Sequence, residues 1–311
     1  MKEQDYYIID IPLDGDAPKQ YVKAYFYYKN CPRKAKPADW HGFFVKFGRK
    51  SYPHESVTEY AINKIGEYLG LKMNETRLVV ANGQVRFLSK DFIQPGKRLI
   101  HGIEILAEYF EDRAFVDQIN EDRKIRREYL TFEVVERAIN HVYPTECSEI
   151  IRELVKMITF DALVGNNDRH FYNWGVIGNV VTADHDETIF APIYDSARAL
   201  LWNLTEESVQ KMYHAYLKGD LNQFEAYIRR PAPRLSFDDK PDAGHFELID
   251  YLCSYKLEYK RTIEELVHDA KERGVLEKLK KDIYGFFSKE RCMLIDAIIK
   301  RRFQMIRDLI V

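Results

Sequence analysis

One run of ten residues, Gly165-Asn166-Asn167-Asp168-Arg169-His170-Phe171-Tyr172-Asn173-Trp174, sets a carboxylate and a carboxamide on either side of four intervening residues. A second carboxylate, Asp195, follows in Ala191-Pro192-Ile193-Tyr194-Asp195-Ser196. An aspartate can orient an attacking hydroxyl and accept its proton. An amide oxygen and a second carboxylate can hold Mg²⁺, which takes hard oxygen donors and keeps part of its shell for phosphates. Phosphoryl transfer from a nucleotide needs this set, because its catalysis is positioning plus neutralisation of charge. Asx residues also gather at turns for local hydrogen-bonding reasons. Three of them at this spacing, in a helix–loop–hairpin context, favour the chemical reading. The competing enzyme reading is a metal-dependent hydrolase or nuclease, with Asp168, His170, Asn173, Asp184, His185 and Asp186 as candidate ligands.

These groups need elements to carry them. Residues 147–164 place Ile150, Ile151, Leu154, Val155, Ile158, Ala162 and Leu163 on one side of a helix that delivers the loop. Residues 174–181 and 188–193 read as a hairpin around Ala183-Asp184-His185-Asp186-Glu187, with Asp195 emerging from it. Nearer the N-terminus, residues 6–11, 21–28 and 42–47 are rich in aromatic and β-branched side chains and read as strands. Asp14, Gly15 and Pro18 separate the first two, and a basic, proline-containing linker over residues 29–40 precedes the third. In the third strand Phe43, Val45 and Phe47 share one face, Phe44 and Lys46 the other. Lys46 reads either as an edge-strand lysine that discourages aggregation or as a grip on nucleotide phosphates, held in turn by a helix glutamate. Residues 55–69 supply that helix, with Val57, Ala61, Ile62, Ile65 and Leu69 at helical spacing before Gly70. Glu59 is the expected partner of Lys46, and Glu55, one turn earlier, is its rival.

Residues 77–88 read as a hairpin around Asn82-Gly83. Ser89-Lys90-Asp91-Phe92-Ile93 then runs into Gln94-Pro95-Gly96, where a two-lobed enzyme would place its hinge. Residues 97–102 read as a link to a short helix over 103–110, followed by another over 129–142. Beyond Trp202 the pattern is helical almost to the end, broken at Arg230-Pro231-Ala232-Pro233. The expected fold is therefore α+β: a small β-rich lobe over residues 1–96, and a larger lobe over 97–311, all-helical apart from the catalytic-loop hairpin.

Composition bounds the rest. With 46% hydrophobic and 31% charged residues the chain is clear of disorder, and a net charge of −2 supplies no global field for nucleic acid or a membrane surface. Cys31, Cys147, Cys253 and Cys292 lie far apart with no Cys-x-x-Cys pair, which argues against a zinc module and fits reduced thiols. No apolar run is long enough to span a bilayer, and the first residues lack a signal-peptide core. A cytoplasmic protein without direct nucleic-acid or membrane contacts is expected.

The protein-kinase catalytic loop has the same Asp-x-x-x-x-Asn spacing, with its metal-binding Asp later in the chain. Taken together, the segment Gly165 to Gly175, Ala191-Pro192-Ile193-Tyr194-Asp195, and Phe44-Val45-Lys46-Phe47 with the Glu59 helix resemble the HipA family of bacterial serine/threonine kinases, known as toxins of toxin–antitoxin pairs. The resemblance runs from about Lys46 to the C-terminus. It implies a kinase-like bilobe and transfer of the ATP γ-phosphate to a protein Ser or Thr. By the same resemblance Asp168 is the catalytic base, Asn173 and Asp195 are Mg²⁺ ligands, and His170 and Tyr194 line the nucleotide site. Lys46 holds the phosphates with Glu59 behind it, and Lys90, Asp91 and Phe92 face the adenine. The resemblance also implies, as acceptor, a translation-linked protein such as an aminoacyl-tRNA synthetase or the kinase itself, with a HipB-like antitoxin as a candidate partner. Three features depart from pattern. No Gly-x-Gly-x-x-Gly precedes Lys46, so another loop must cover the phosphates, as in the HipA family. Lys46 comes early, leaving little room for the N-terminal subdomain that longer members use in antitoxin contacts. No Ser or Thr precedes Ser51, which argues against self-inactivation in the phosphate loop and leaves Ser51 as its candidate. A pseudokinase, a binding protein with this fold, is the non-enzymatic alternative; the presence of Lys46, Asp168, Asn173 and Asp195 speaks against it.

Overall fold

Alternation of apolar and polar residues builds the first part of the chain into a sheet. In the computed structural model, which describes all residues except 13–18, 28–33, 47–53, 82, 181–186 and 311, five strands pair antiparallel. They are β1 (Tyr6–Ile9), β2 (Lys19–Ala24), β3 (His41–Lys46), β4 (Thr76–Ala81) and β5 (Gln84–Lys90), in the order β1-β2-β3-β5-β4. Val22, Ala24, Phe43, Val45 and Leu88 form a small core of their own on one face. The order makes β3 a central strand, with Lys46 opposite Lys19 on one side and Phe87 on the other. The edge-strand reading of Lys46 is thereby overturned: a residue flanked by strands on both sides guards no edge. Phe47, Asn82, Ser51 and the polar hairpin tip at Asp184, His185 and Asp186 lie outside the described residues.

Helix α1 (Glu55–Leu69) ends at Gly70, whose left-handed backbone (φ 84°) lets its N–H reach back to the Glu67 carbonyl. Its buried Ala61, Ile62, Ile65 and Leu69 belong to the large core shared with the helical lobe, not to the sheet's core. Asn63 ties the helix to the sheet: its amide donates to the Asn74 carbonyl at 2.9 Å and accepts from the Thr76 hydroxyl at 2.8 Å. The other end is held by the helical lobe, where Lys271 donates to the Leu69 carbonyl at 2.7 Å.

The larger lobe is not all-helical outside its hairpin. Residues Lys97–His101, read from sequence as a link, form β6 and pair antiparallel with β7 (Gly175–Asn179), which in turn pairs with β8 (Ile189–Phe190). The turn Gln94-Pro95-Gly96 masked this strand, and its pairing partner lies about 80 residues downstream, beyond the reach of local pattern. The helix expected over 129–142 begins three residues later, at Phe132, and two further helices precede it. Here α2 (Gly102–Phe110), α3 (Arg113–Glu121), α4 (Arg123–Tyr129) and α5 (Phe132–Val142) follow one another, with Asp112, Asp122 and Thr131 accepting backbone N–H groups as N-caps. Helix α6 (Cys147–Val164) runs through the core. After β8 come α7 (Glu206–Leu217), α8 (Asn222–Arg229), α9 (His245–Tyr255), α10 (Leu257–Val267), α11 (Asp269–Asp282) and α12 (Lys289–Ile310). The break at Arg230 to Pro233 opens the connector between α8 and α9. None of the described helices is long and apolar enough to cross a membrane.

Gly165 turns α6 into the loop that follows. Its φ is +74°, its N–H donates to the Asp161 carbonyl at 2.8 Å, and an added Cβ would stand 2.9 Å from Nη2 of the buried Arg302. Gly165→Ala should therefore cost roughly 1–2 kcal/mol from the left-handed backbone alone, more if Arg302 is displaced. Urea unfolding would measure this, and an unchanged midpoint would show that the turn tolerates a side chain.

Candidate active site

The turn after α6 carries Asp168 and Asn173, two of the groups expected to do chemistry. Within it, Arg169 is buried, and its five N–H donors meet five acceptors. Nε and Nη2 fork onto the two oxygens of Asp161, at 2.9 and 3.0 Å. Nη1 donates to the Asn173 carbonyl at 2.9 Å and the Tyr194 carbonyl at 2.5 Å, and Nη2 also donates to the Ser196 hydroxyl at 2.7 Å. Burial works against the guanidinium charge, but the Asp161 carboxylate outweighs it and holds the pKa above its ordinary value. One side chain thus fixes the loop bearing Asp168 and Asn173 against the loop bearing Asp195. Asp161 Oδ1 also accepts from the Asn166 amide at 2.8 Å, and the Asn166 carbonyl receives His245 Nε2 at 2.7 Å. A carbonyl can only accept, so Nε2 carries the proton. Burial, then the nearby Arg302, pushes the His245 pKa down to about 3, which keeps the ring neutral.

Asp168 and Asn173 are joined directly. The Asn173 amide nitrogen donates to the Asp168 carbonyl at 2.9 Å, which leaves the amide oxygen as the group able to face a cation. Both carboxylate oxygens of Asp168 are held by arginines: Oδ1 accepts from Arg234 Nη2 at 2.7 Å, and Oδ2 lies 3.1 Å from Arg198 Nε. Arg198 comes from the segment after Asp195 and Arg234 from the α8–α9 connector. His170 lies half-buried in the same loop, where Nδ1 accepts the Tyr172 N–H at 3.3 Å; burial holds its pKa below the ordinary value.

The Asp195 side is built from three parts of the chain. Asn74 N–H donates to the Ile193 carbonyl at 3.0 Å and Ile193 N–H to the Lys72 carbonyl at 2.8 Å, a parallel bridge that pins residues 72–74 beside the approach to Asp195. Asp195 itself adopts φ +50°. Lys46 Nζ reaches across from β3 to Glu59 Oε1 at 2.6 Å and Asp195 Oδ1 at 2.7 Å. Glu59 is thus the helix partner that Lys46 meets. Burial opposes the Lys46 charge, but Asp195 and Glu59 overcome it and raise its pKa. Burial also disfavours the Asp195 carboxylate, yet Lys46 brings its pKa down to about 2. Glu59 is buried more deeply, and there desolvation wins over Lys46 and lifts the carboxyl to about 7.

The remaining sequence candidates divide. Phe92 packs on Tyr194, ring centroids 5.7 Å apart. The Tyr194 hydroxyl donates to the Tyr172 carbonyl at 3.0 Å and lies 3.1 Å from His101 Nδ1. Lys90 is occupied by Glu75 at 2.8 Å. Asp91 accepts from the Tyr21 hydroxyl at 2.9 Å and from its own turn's Ile93 N–H at 3.1 Å. The side chains of Lys90 and Asp91 shape the end of β5, and Phe92 is the one of the three that touches another candidate. Sequence reasoning missed Asp161, Arg169, Ser196, Arg198, Arg234 and His245. Arg169 stood inside the motif, but its partners did not.

Asn173 and Asp195 offer hard oxygen donors, the chemistry Mg²⁺ takes when phosphates complete its shell. Among the described residues no group of three His, Cys, Asp or Glu side chains is disposed around a common metal position, so a cation here relies on few protein ligands.

The geometry is that of a two-lobed kinase-like fold with a cleft cation at Lys46. The Helicobacter pylori proinflammatory kinase CtkA has this fold too: its crystal structure superposes with a TM-score of 0.73 at 18% identity, over 97% of this chain and 93% of that one. HipA of Shewanella oneidensis MR-1, solved with HipB and operator DNA, superposes with a TM-score of 0.54 at 12% identity, over 99% of this chain and 72% of its own. No curated protein sequence matches the chain. Residues 12–273 match the HipA-like C-terminal domain, and the chain belongs to that family.

Two expectations follow from the charges. Lys46→Ala leaves Glu59 and Asp195 without the cation between them, a loss of about 3 kcal/mol for a largely buried pair. Glu59 already titrates above its ordinary 4.5, near 7, and would rise further without Lys46. A raised carboxyl favours the folded state when protonated, so the cost of the substitution should grow as pH climbs from about 5 to about 8. Urea melts of both proteins across that range test the sign; a pH-independent difference rejects it. Arg169→Lys, which keeps the charge but loses the fork, should destabilise by roughly 3 kcal/mol or more, read in the same assay at neutral pH.

Proposed function

We propose that the protein is an ATP- and Mg²⁺-dependent serine/threonine protein kinase of HipA type. The observation that carries this reading is the meeting of Lys46 with Glu59 and Asp195, which joins a strand lysine, a helix glutamate and a post-hairpin aspartate from three distant segments. Phosphoryl transfer uses that lysine on the nucleotide phosphates and that aspartate on the metal. Asp168 then orients the acceptor hydroxyl and takes its proton. Asn173, held by the Asp168 carbonyl, and Asp195 hold Mg²⁺, which when bound neutralises charge on the phosphates. Arg169 keeps the two loops in register, and Phe92 with Tyr194 offers aromatic surface for the base. The relative from Shewanella was crystallised with HipB and operator DNA; a HipB-like antitoxin is the partner we propose here, with a protein Ser or Thr as acceptor and a cytoplasmic setting.

Incubation with γ-labelled ATP and Mg²⁺, alone and with host lysate, tests the reading. Wild type should label protein on Ser or Thr. Asp168→Ala should abolish transfer while ATP still binds, since the base acts on the acceptor. Asp195→Ala should weaken Mg²⁺-dependent nucleotide binding roughly tenfold or more. Nucleotide bound without any transfer by wild type, under every acceptor condition, would mark a binding protein with a kinase fold.

A further inference from the structure

The acceptor side of the cleft carries a charge pattern that the phosphoryl-transfer chemistry does not use. Arg198 and Arg234 occupy both oxygens of Asp168. Two guanidinium groups therefore share one carboxylate, in a chain whose net charge is −2. Their positive excess is local.

Asp168 does not use every donor of Arg234. A guanidinium has five N–H groups, and Arg234 commits Nη2 to the carboxylate, whereas its Nε is buried with no hydrogen-bond partner among the described residues. Arg198 keeps its side chain about a third exposed, at 32%. The pair also stands where an acceptor must come. A hydroxyl that gives its proton to Asp168 has to reach Oδ1 or Oδ2, and an arginine holds each. The nucleotide side already has its own cation in Lys46.

We propose that Arg198 and Arg234 form a recognition site for an acidic protein segment, whose carboxylates draw the guanidinium groups from Asp168 and so uncover the base beside the acceptor hydroxyl. This deepens the kinase reading and rests on it for the word acceptor. The physical trade is even in kind: each arginine exchanges one carboxylate for another, with forked geometry available to the newcomer. A neutral or basic segment offers no such exchange and leaves Asp168 held.

The test uses the full chain and three fluorescent peptides that share a central Ser, flanked by Glu, by Gln or by Lys. Anisotropy should show the Glu peptide binding roughly tenfold or more tighter than its Gln isostere at low salt, with the gap narrowing as salt rises. The Lys peptide should bind weakest. Arg198→Ala/Arg234→Ala should bring the Glu and Gln peptides within about twofold of each other, and Arg234→Lys should keep part of the preference. The wild-type comparison needs no variant, so a poorly folded double substitution does not remove the test. Equal binding of the Glu and Gln peptides by wild type overturns the proposal. So does a double variant that keeps the preference, or one that loses ATP affinity and not peptide affinity, which would assign the arginines to the nucleotide. Label transfer is read separately. Arginine-dependent binding of the Glu peptide, with no transfer to it or to any protein under every acceptor condition, would sink the kinase reading and leave the acidic-segment site standing. Transfer to Glu and Gln peptides alike, with equal binding, would do the reverse.

Discussion

A buried arginine with every donor satisfied is the constraint on which this cleft depends. Removing a guanidinium from water costs several kcal/mol even after relaxation, and Arg169 recovers that only because Asp161 meets it with two oxygens and three further acceptors close its remaining donors. Those acceptors lie on α6, on the Asp168–Asn173 loop and on the Tyr194–Ser196 stretch. No two of these segments can shift relative to each other without leaving a buried donor or acceptor unpaired. The penalty for that is about 1–3 kcal/mol per group, more for a charged one. The network therefore sets the position of Asp195 relative to Asp168 more firmly than any contact these two residues make themselves.

Beyond this anchor, charge is distributed by depth. Glu59, more buried than Asp195, is pushed toward its neutral form, while Asp195, closer to solvent, remains a strong anion under the influence of the same lysine. The carboxylate suited to a metal is thus the one that stays ionised. The other serves to hold Lys46, a task that a shared proton near neutral pH does not abolish.

How much of this was legible in the residues follows the range of each interaction. The Asp168–Asn173 spacing is local, and α1 and α6 begin and end where their periodicity and terminal glycines say, because caps and apolar stripes are written in consecutive residues. The two-lobed α+β class followed from the same signals. The Lys46–Glu59 meeting could be inferred from a lone strand lysine and a helical stripe, although its distance from Asp195 could not. Strand β6 was invisible because its partner β7 is supplied only after five helices have folded between them. Arg198, Arg234 and His245 were unread for a related reason. An arginine or histidine in a loop acquires meaning from what it touches, and their partners Asp168 and Asn166 lie 30 to 79 residues away.

Helix α1 packs on both the sheet and the larger lobe, and the two seams are made of different chemistry. Toward the larger lobe it buries Ala61, Ile62, Ile65 and Leu69, the larger of which are worth about 1.5–3 kcal/mol apiece. Toward the sheet its polar ties are the Asn63 hydrogen bonds and the Glu59–Lys46 ion pair. Helix α1 packs on β4 and β5 as well as on α11, so the two seams differ in chemistry more than in extent. The seam toward the sheet holds the Lys46–Glu59 pair, and whatever changes the charge on Glu59 acts there and leaves the apolar seam untouched.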